Sequence, residues 1–294
     1  MNAQATAIDK KTRLEHHWPE PLTAKQLDAK YPGILDSTVF LSAGANIIMQ
    51  LSLPAVGHGV AESRVTSGSV LHNPLKRTRT TFTYLAVAMM GTSEEKLAYR
   101  KAVNGAHKYV HSTDESPVKY NAFDPELQLW VAACLYWGFV DTYQKVHRPL
   151  TRAEQEEFYQ LAHPLGTTLQ VRQEMWPKDL DAFEEYWQNG LDNLHIDERV
   201  HEFLMIIVDL KFLSPITQKL FGKFNRFVTS GFLPPEIREA MNLEWNADKQ
   251  RKFDKTVRFF GKTMKFLPRP VRQAAYLLPL RDFRKRMASG KPMI

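Results

Sequence analysis

Hydrophobic positions along this chain recur at three- and four-residue spacing almost everywhere, and polar residues fill the positions between them. That period predicts amphipathic helices. No run alternates apolar and polar residues long enough to read as a strand, and no internal repeat or Gly/Ser-rich linker interrupts the pattern. Val39 to Ala61 reads as one apolar helix broken near Pro54. Pro74 to Met90 follows, with Pro in the first turn and Gly91 as a stop. Thr92-Ser-Glu-Glu95 offers a capping box for a helix reaching about Ser112. Asp124-Pro-Glu126 opens another to about His147, and Thr151-Arg-Ala-Glu154 caps a third to about His163. Leu180–Asn193, Asp197–Phe212, Pro215–Gly231, Pro234–Leu243 and Ala247–Phe266 complete the set. The expected architecture is a single all-α domain over residues 36–294, preceded by an N-terminal extension, residues 1–35.

Composition narrows this picture. A chain of 294 residues with 44% hydrophobic and 24% charged residues can bury a core, which excludes wholesale disorder. The lone Cys134 excludes an internal disulfide or a cysteine-rich zinc site, and inside an apolar run it reads as a buried, inert thiol. The N-terminus is polar, without the apolar stretch of a secretory signal, so a cytoplasmic protein is expected. Ser37 to Ala61 carries no charge over 25 residues, but Asn46, Gln50, Pro54 and His58 favour a core helix over a membrane span. The net charge of +7 is uneven. Ala247 to Ile294 holds a net of +11, which leaves −4 for the remainder. Lys249 to Arg286 interleaves those cations with Phe253, Phe259, Phe260, Phe266 and Leu278. Such a segment packs on the core or rests on an anionic membrane surface. No recognition motif supports nucleic-acid binding.

Three constellations carry candidate chemistry. Arg77, Thr81, Tyr84, Leu85 and Ala88 share one helical face. Lys76, Arg77 and Arg79 are unfavourable at a helix N-terminus, which either an anionic group or simple solvation would account for. His107 and His111 stand four residues apart. Without a Glu after the first His they make a poor zinc-protease motif, and each could instead be an axial haem ligand or simply hydrogen-bonded. Tyr120 to Trp137 is aromatic-rich, read as either core or the wall of an apolar pocket around Trp130 and Trp137. Nucleophile elbows and phosphate-binding glycine loops are absent.

Taken in order, several segments are familiar. They are Gln50-Leu-Ser-Leu-Pro-Ala-Val-Gly-His-Gly-Val-Ala-Glu62, Asn73-Pro-Leu-Lys-Arg77-Thr-Arg-Thr-Thr81, Val103-Asn-Gly-Ala-His107, Tyr120-Asn-Ala-Phe-Asp-Pro-Glu-Leu-Gln-Leu-Trp130, His147-Arg-Pro-Leu-Thr151 and Gly231-Phe-Leu-Pro-Pro-Glu-Ile-Arg238. Together they resemble the MpaB/rubber-oxygenase catalytic-domain family over roughly residues 36–285. The resemblance implies a globin-like all-α fold that binds haem b and uses dioxygen on C=C bonds of isoprenoid chains. It implies His107 as the iron ligand, with Arg77 and Thr81 on the opposite, distal side, where a cation and a hydroxyl can hydrogen-bond dioxygen. Glu62 matches a glutamate of the rubber-cleaving members loosely. The chain departs from the pattern at Thr80, where those members have Lys, and at Leu53 and Ala132, where many relatives have His. These changes argue for a more apolar pocket and against rubber as substrate. The expected function is therefore a haem-dependent oxygenase of a hydrophobic, isoprenoid or lipid-like small molecule. The alternatives are a haem peroxidase or monooxygenase, and a non-catalytic haem- or lipid-binding protein.

Overall fold

A computed structural model describes residues 18, 20–63, 65 and 68–294. Most of the N-terminal extension therefore lies outside the described residues. Among these, the chain is all-α. Its helices are α1 (Ala24–Lys30), a 3₁₀ turn (Ser37–Ser42), α2 (Ala43–Leu51), α3 (Pro54–Ala61), α4 (Pro74–Met90), α5 (Ser93–His107), α6 (Pro125–Val146), α7 (Arg152–Ala162) and α8 (Pro164–Thr167). Next come α9 (Leu180–Asp192), α10 (Glu198–Val208), α11 (Pro215–Phe232), α12 (Pro235–Ala240), α13 (Ala247–Met264), α14 (Arg269–Arg272) and α15 (Ala274–Ala288).

The start signals in the sequence become caps. Thr92 and Thr151 form full capping boxes with Glu95 and Glu154, and the Asp124 carboxylate accepts from the Glu126 N–H. Alpha6 is apolar nearly all round, which requires burial on every side. It runs through the centre, with α2, the 3₁₀ turn, α7, α8 and α13 packed around it. Alpha2 approaches closely because position 138 is glycine: a Cβ there would overlap the Asn46 amide, which donates to the Cys134 carbonyl at 2.8 Å. Cys134 is fully buried, and burial pushes its thiol pKa well up, as an inert thiol requires.

The uncharged stretch 37–61 is not one helix. The 3₁₀ turn and α2 meet α3 at 109°, with α3 starting at Pro54. No single described helix is long and apolar enough to cross a membrane. Alpha5 ends at His107, five residues short of the expected stop. Beyond it the Ser112 N–H donates to the Tyr120 carbonyl (2.8 Å) and the Ala122 N–H to the Val110 carbonyl (2.9 Å), drawing the chain into a bridge between His111 and Asn121. The basic C-terminal segment packs on the core through Phe253, Val257, Tyr276, Leu280 and Phe283. Alpha15 lies along α4, its most extensive partner. Phe82 meets Tyr276 edge-on at 5.8 Å, and Arg79 pairs with Asp282 at 3.2 Å.

Candidate functional site

Alpha4 and α5 supply the two sides of the candidate site. On α4, Leu85 and Ala88 are buried while Thr81 and Tyr84 are half-buried. The Tyr84 hydroxyl donates to the Leu165 carbonyl at 2.5 Å. Arg77 keeps exposed area, yet burial lowers its pKa below the ordinary guanidinium value. Arg77 makes no ion pair with a described carboxylate, and the Thr81 hydroxyl makes no hydrogen bond to a described residue. Lys76 and Arg79 differ: Arg79 already has Asp282, so only part of the basic first turn still wants an anion.

His107 ends α5 on the other side. Burial first, and the Arg77 charge second, push its pKa down to about 4. Its imidazole is therefore neutral at pH 7. Its Nδ1 is buried and has no hydrogen-bond partner among the described residues. Phe123 stands edge-on to the ring at 6.2 Å. One turn earlier, the Asn104 side-chain oxygen accepts from the Gln170 side-chain amide (2.7 Å), and the Gln170 backbone N–H donates to the Gln128 side-chain oxygen at the start of α6 (2.8 Å). This chain of amides fixes the end of α5. A neutral imidazole whose buried Nδ1 has no described partner, with a guanidinium near enough to be felt, is a donor set that suits a haem iron and its surroundings. Among the described residues no group of three or more His, Cys, Asp or Glu could hold a bare metal ion.

His111 is not part of this arrangement. It is exposed and lines a separate polar recess of about 480 Å³ with Glu62, Ser116, Tyr120 and Arg199. The expected shared face of His107 and His111 fails because α5 stops between them.

Glu62 belongs to that polar recess. It accepts from His58 (2.9 Å), Ser116 (2.8 Å), Tyr120 (3.0 Å) and Arg199 (3.3 Å). Burial alone would raise its pKa, but these bonds outweigh burial and lower it. Behind it the almost fully buried His58 places its other ring nitrogen 2.5 Å from Asp197. Burial opposes the His58 charge, yet the two carboxylates win and raise its pKa. No described hydrogen bond or ion pair joins Glu62 to Arg77, Thr81 or His107. What it holds is Ser116 and Tyr120, on the loop between His107 and α6.

The aromatic run also reads differently in three dimensions. Trp130 is 2% exposed; its indole N–H points at the Met49 and Gln50 carbonyls, 3.2 Å from each. Trp187 is sandwiched between Trp130 (5.3 Å, 11°) and Trp137 (5.2 Å, 13°). Trp130 is thus core and offers no wall to a ligand. Trp187 and Asp197 were not singled out in the sequence, because their partners lie 57 and 139 positions away and no local spacing reports them.

The chain belongs to the family described as "ER-bound oxygenase mpaB/B'/Rubber oxygenase, catalytic domain", matched over residues 33–262. Among curated proteins it is 47% identical over 254 residues to the uncharacterized protein Rv2237 of Mycobacterium tuberculosis. The uncharacterized protein Mb2261 of Mycobacterium bovis matches equally, and each alignment covers 86% of this chain and the whole relative. No solved structure gave a significant match.

Proposed function

We propose that the chain is a haem b-dependent oxygenase that uses dioxygen to oxidise or cleave a C=C bond in a hydrophobic, isoprenoid or lipid-like small molecule. The observation that carries this is the neutral His107 imidazole, whose buried Nδ1 has no described partner and which lies close enough to Arg77 for that charge to lower its pKa, inside an oxygenase-family domain. His107 would ligate the iron, and Arg77 and Thr81 would line the other side. Bound haem would supply the iron chemistry that activates dioxygen. The protein's own contribution is positional and electrostatic. Arg77 brings a positive charge into a low-dielectric space, where it acts more strongly than in water. Thr81 adds a hydroxyl one turn further along the same face. The buried Leu85 and Ala88 continue that face and exclude water from it. Leu53 and Ala132, apolar where many relatives carry His, suit an alkene better than a polar substrate. Glu62 acts as a positioning residue, tying down the loop that follows His107.

An absorption spectrum of purified protein supplied with haem tests the reading. Wild type should show a Soret band, His107→Ala should lose or shift it, and His111→Ala should leave it unchanged. Arg77→Ala should keep the band and lose turnover of an isoprenoid alkene. A wild type without a Soret band overturns the proposal; an unchanged band in His107→Ala overturns the ligand assignment.

A further inference from the structure

Two helices distant in sequence bring apolar residues to one end of the molecule. Alpha11 and α13 pack antiparallel: Phe232 meets Phe253 at 4.9 Å, Phe227 meets Phe253 at 6.2 Å, and Phe224 meets Phe260 at 6.0 Å. The first turns of α11 therefore lie beside the last turns of α13. There large apolar side chains stand in solvent: Ile216 (74% exposed), Leu220 (67%), Phe221 (55%), Phe259 (63%) and Phe266 (88%). Single exposed apolar residues are ordinary, but a convergent group of this size marks an interaction surface.

The charges around the group have one sign. Lys219, Lys223, Arg258, Lys262 and Lys265 are exposed, and none has a described carboxylate within ion-pair distance. No Asp or Glu occurs between residues 210 and 235, or between 255 and 281. Nearby cations that serve the fold are paired: Arg226 with Asp209, and Arg272 with Asp28 and Asp36. The opposite face of α13 is already satisfied in the core through Phe253 and Val257. The exposed face is thus surplus to folding.

We propose that this end of the molecule docks on bilayers that contain anionic phospholipid. Phe221, Phe259 and Phe266 enter the boundary between headgroups and acyl chains, and the surrounding lysines hold lipid phosphates. A second copy of the chain is a poor occupant, because pairing this face with itself would set unpaired cations against unpaired cations. The inference stands apart from the oxygenase reading, since it uses no residue of that candidate site.

Vesicle flotation of the full chain provides the test. Wild type should float with phosphatidylcholine vesicles containing phosphatidylglycerol, and not with phosphatidylcholine alone. Raising the salt to about 0.5 M should release it. The double variants Phe221→Ser/Phe266→Ser and Lys262→Glu/Lys265→Glu should each weaken binding about tenfold or more. Both alter only exposed side chains, so the unfolding midpoint should stay at the wild-type value. No flotation of wild type with anionic vesicles, equal flotation with neutral ones, or undiminished binding by either variant would overturn the proposal. An acidic protein as the true partner would show itself as the first of these results.

Discussion

Replacing Gly190 by alanine distinguishes a Trp130 locked in the core from one that borders open space. Gly190 sits in the last turns of α9, where alanine should gain up to about 1 kcal/mol in helix propensity. Against that gain, the new Cβ would overlap the six-membered ring of Trp130, with two further ring atoms 3.0 Å away. The ring cannot easily give way. Its N–H is aimed at the Met49 and Gln50 carbonyls and its face is stacked on Trp187. Overpacking of this kind costs about 1–3 kcal/mol. The net expectation is destabilisation by about 1–2 kcal/mol, read as a lower urea midpoint with an unchanged slope. In a Trp130→Phe background the clashing ring edge is gone. There the sign should invert, and alanine should stabilise by about 0.5–1 kcal/mol. Equilibrium urea unfolding of the four proteins of the cycle, followed by far-ultraviolet circular dichroism, gives both signs. Stabilisation by Gly190→Ala in the presence of Trp130 would refute the locked sandwich and restore Trp130 as a cavity wall.

Two further predictions concern buried charge. His58→Gln removes the cation held between Glu62 and Asp197 and should cost about 3 kcal/mol near neutral pH. The raised His58 pKa makes its contribution full at low pH and lost as pH rises through that value; the lowered pKa values of Glu62 and Asp197 make theirs lost as pH falls through them. The stability gap between wild type and variant should therefore peak between those limits, and a gap that is flat with pH would contradict the pairing. Lys96 is buried, donating to the Gly91 carbonyl (2.7 Å) with its ammonium 5.8 Å from the Trp18 ring, and burial lowers its pKa from 10.5 to about 8. Between those values the unfolded chain binds more protons, so wild-type stability should rise with pH by up to about 3 kcal/mol. Lys96→Met should abolish that rise and leave the protein at least as stable at pH 7, as chemical denaturation across that range would show.

Helix starts were legible in the sequence because caps are local chemistry: Thr92, Asp124 and Thr151 all bond N–H groups two or three residues away. Alpha15 was not separated from the basic tail, since Pro279 lies inside it and proline reads as a breaker. Alpha1 is not legible although Thr23 and Gln26 form its capping box, because a helix this short has too little periodicity to register. The stop of α5 is not legible because nothing near His107 announces it; the bridge to Asn121 is made across the loop. At the site, the shared face of Arg77 and Thr81 follows from helical spacing alone. That the Arg77 charge reaches His107 does not, because it depends on how α4 and α5 pack. Its candidacy as a ligand came through likeness to a family. The Trp and His58 clusters were invisible for the same physical reason: each joins segments that no spacing rule connects.

The packing of α15 along α4 also bears on how the chain is made. Alpha4 carries Arg77 and Thr81, yet the helix that covers its apolar side, with Tyr276 against Phe82, lies nearly two hundred residues later. At typical elongation rates α4 waits on the order of ten seconds or more for that cover. Through that interval Phe82 and its neighbours are open to wrong partners. The Arg77 and Thr81 face is therefore among the last parts of the protein to take shape, and its assembly depends on whatever shields α4 until α15 arrives.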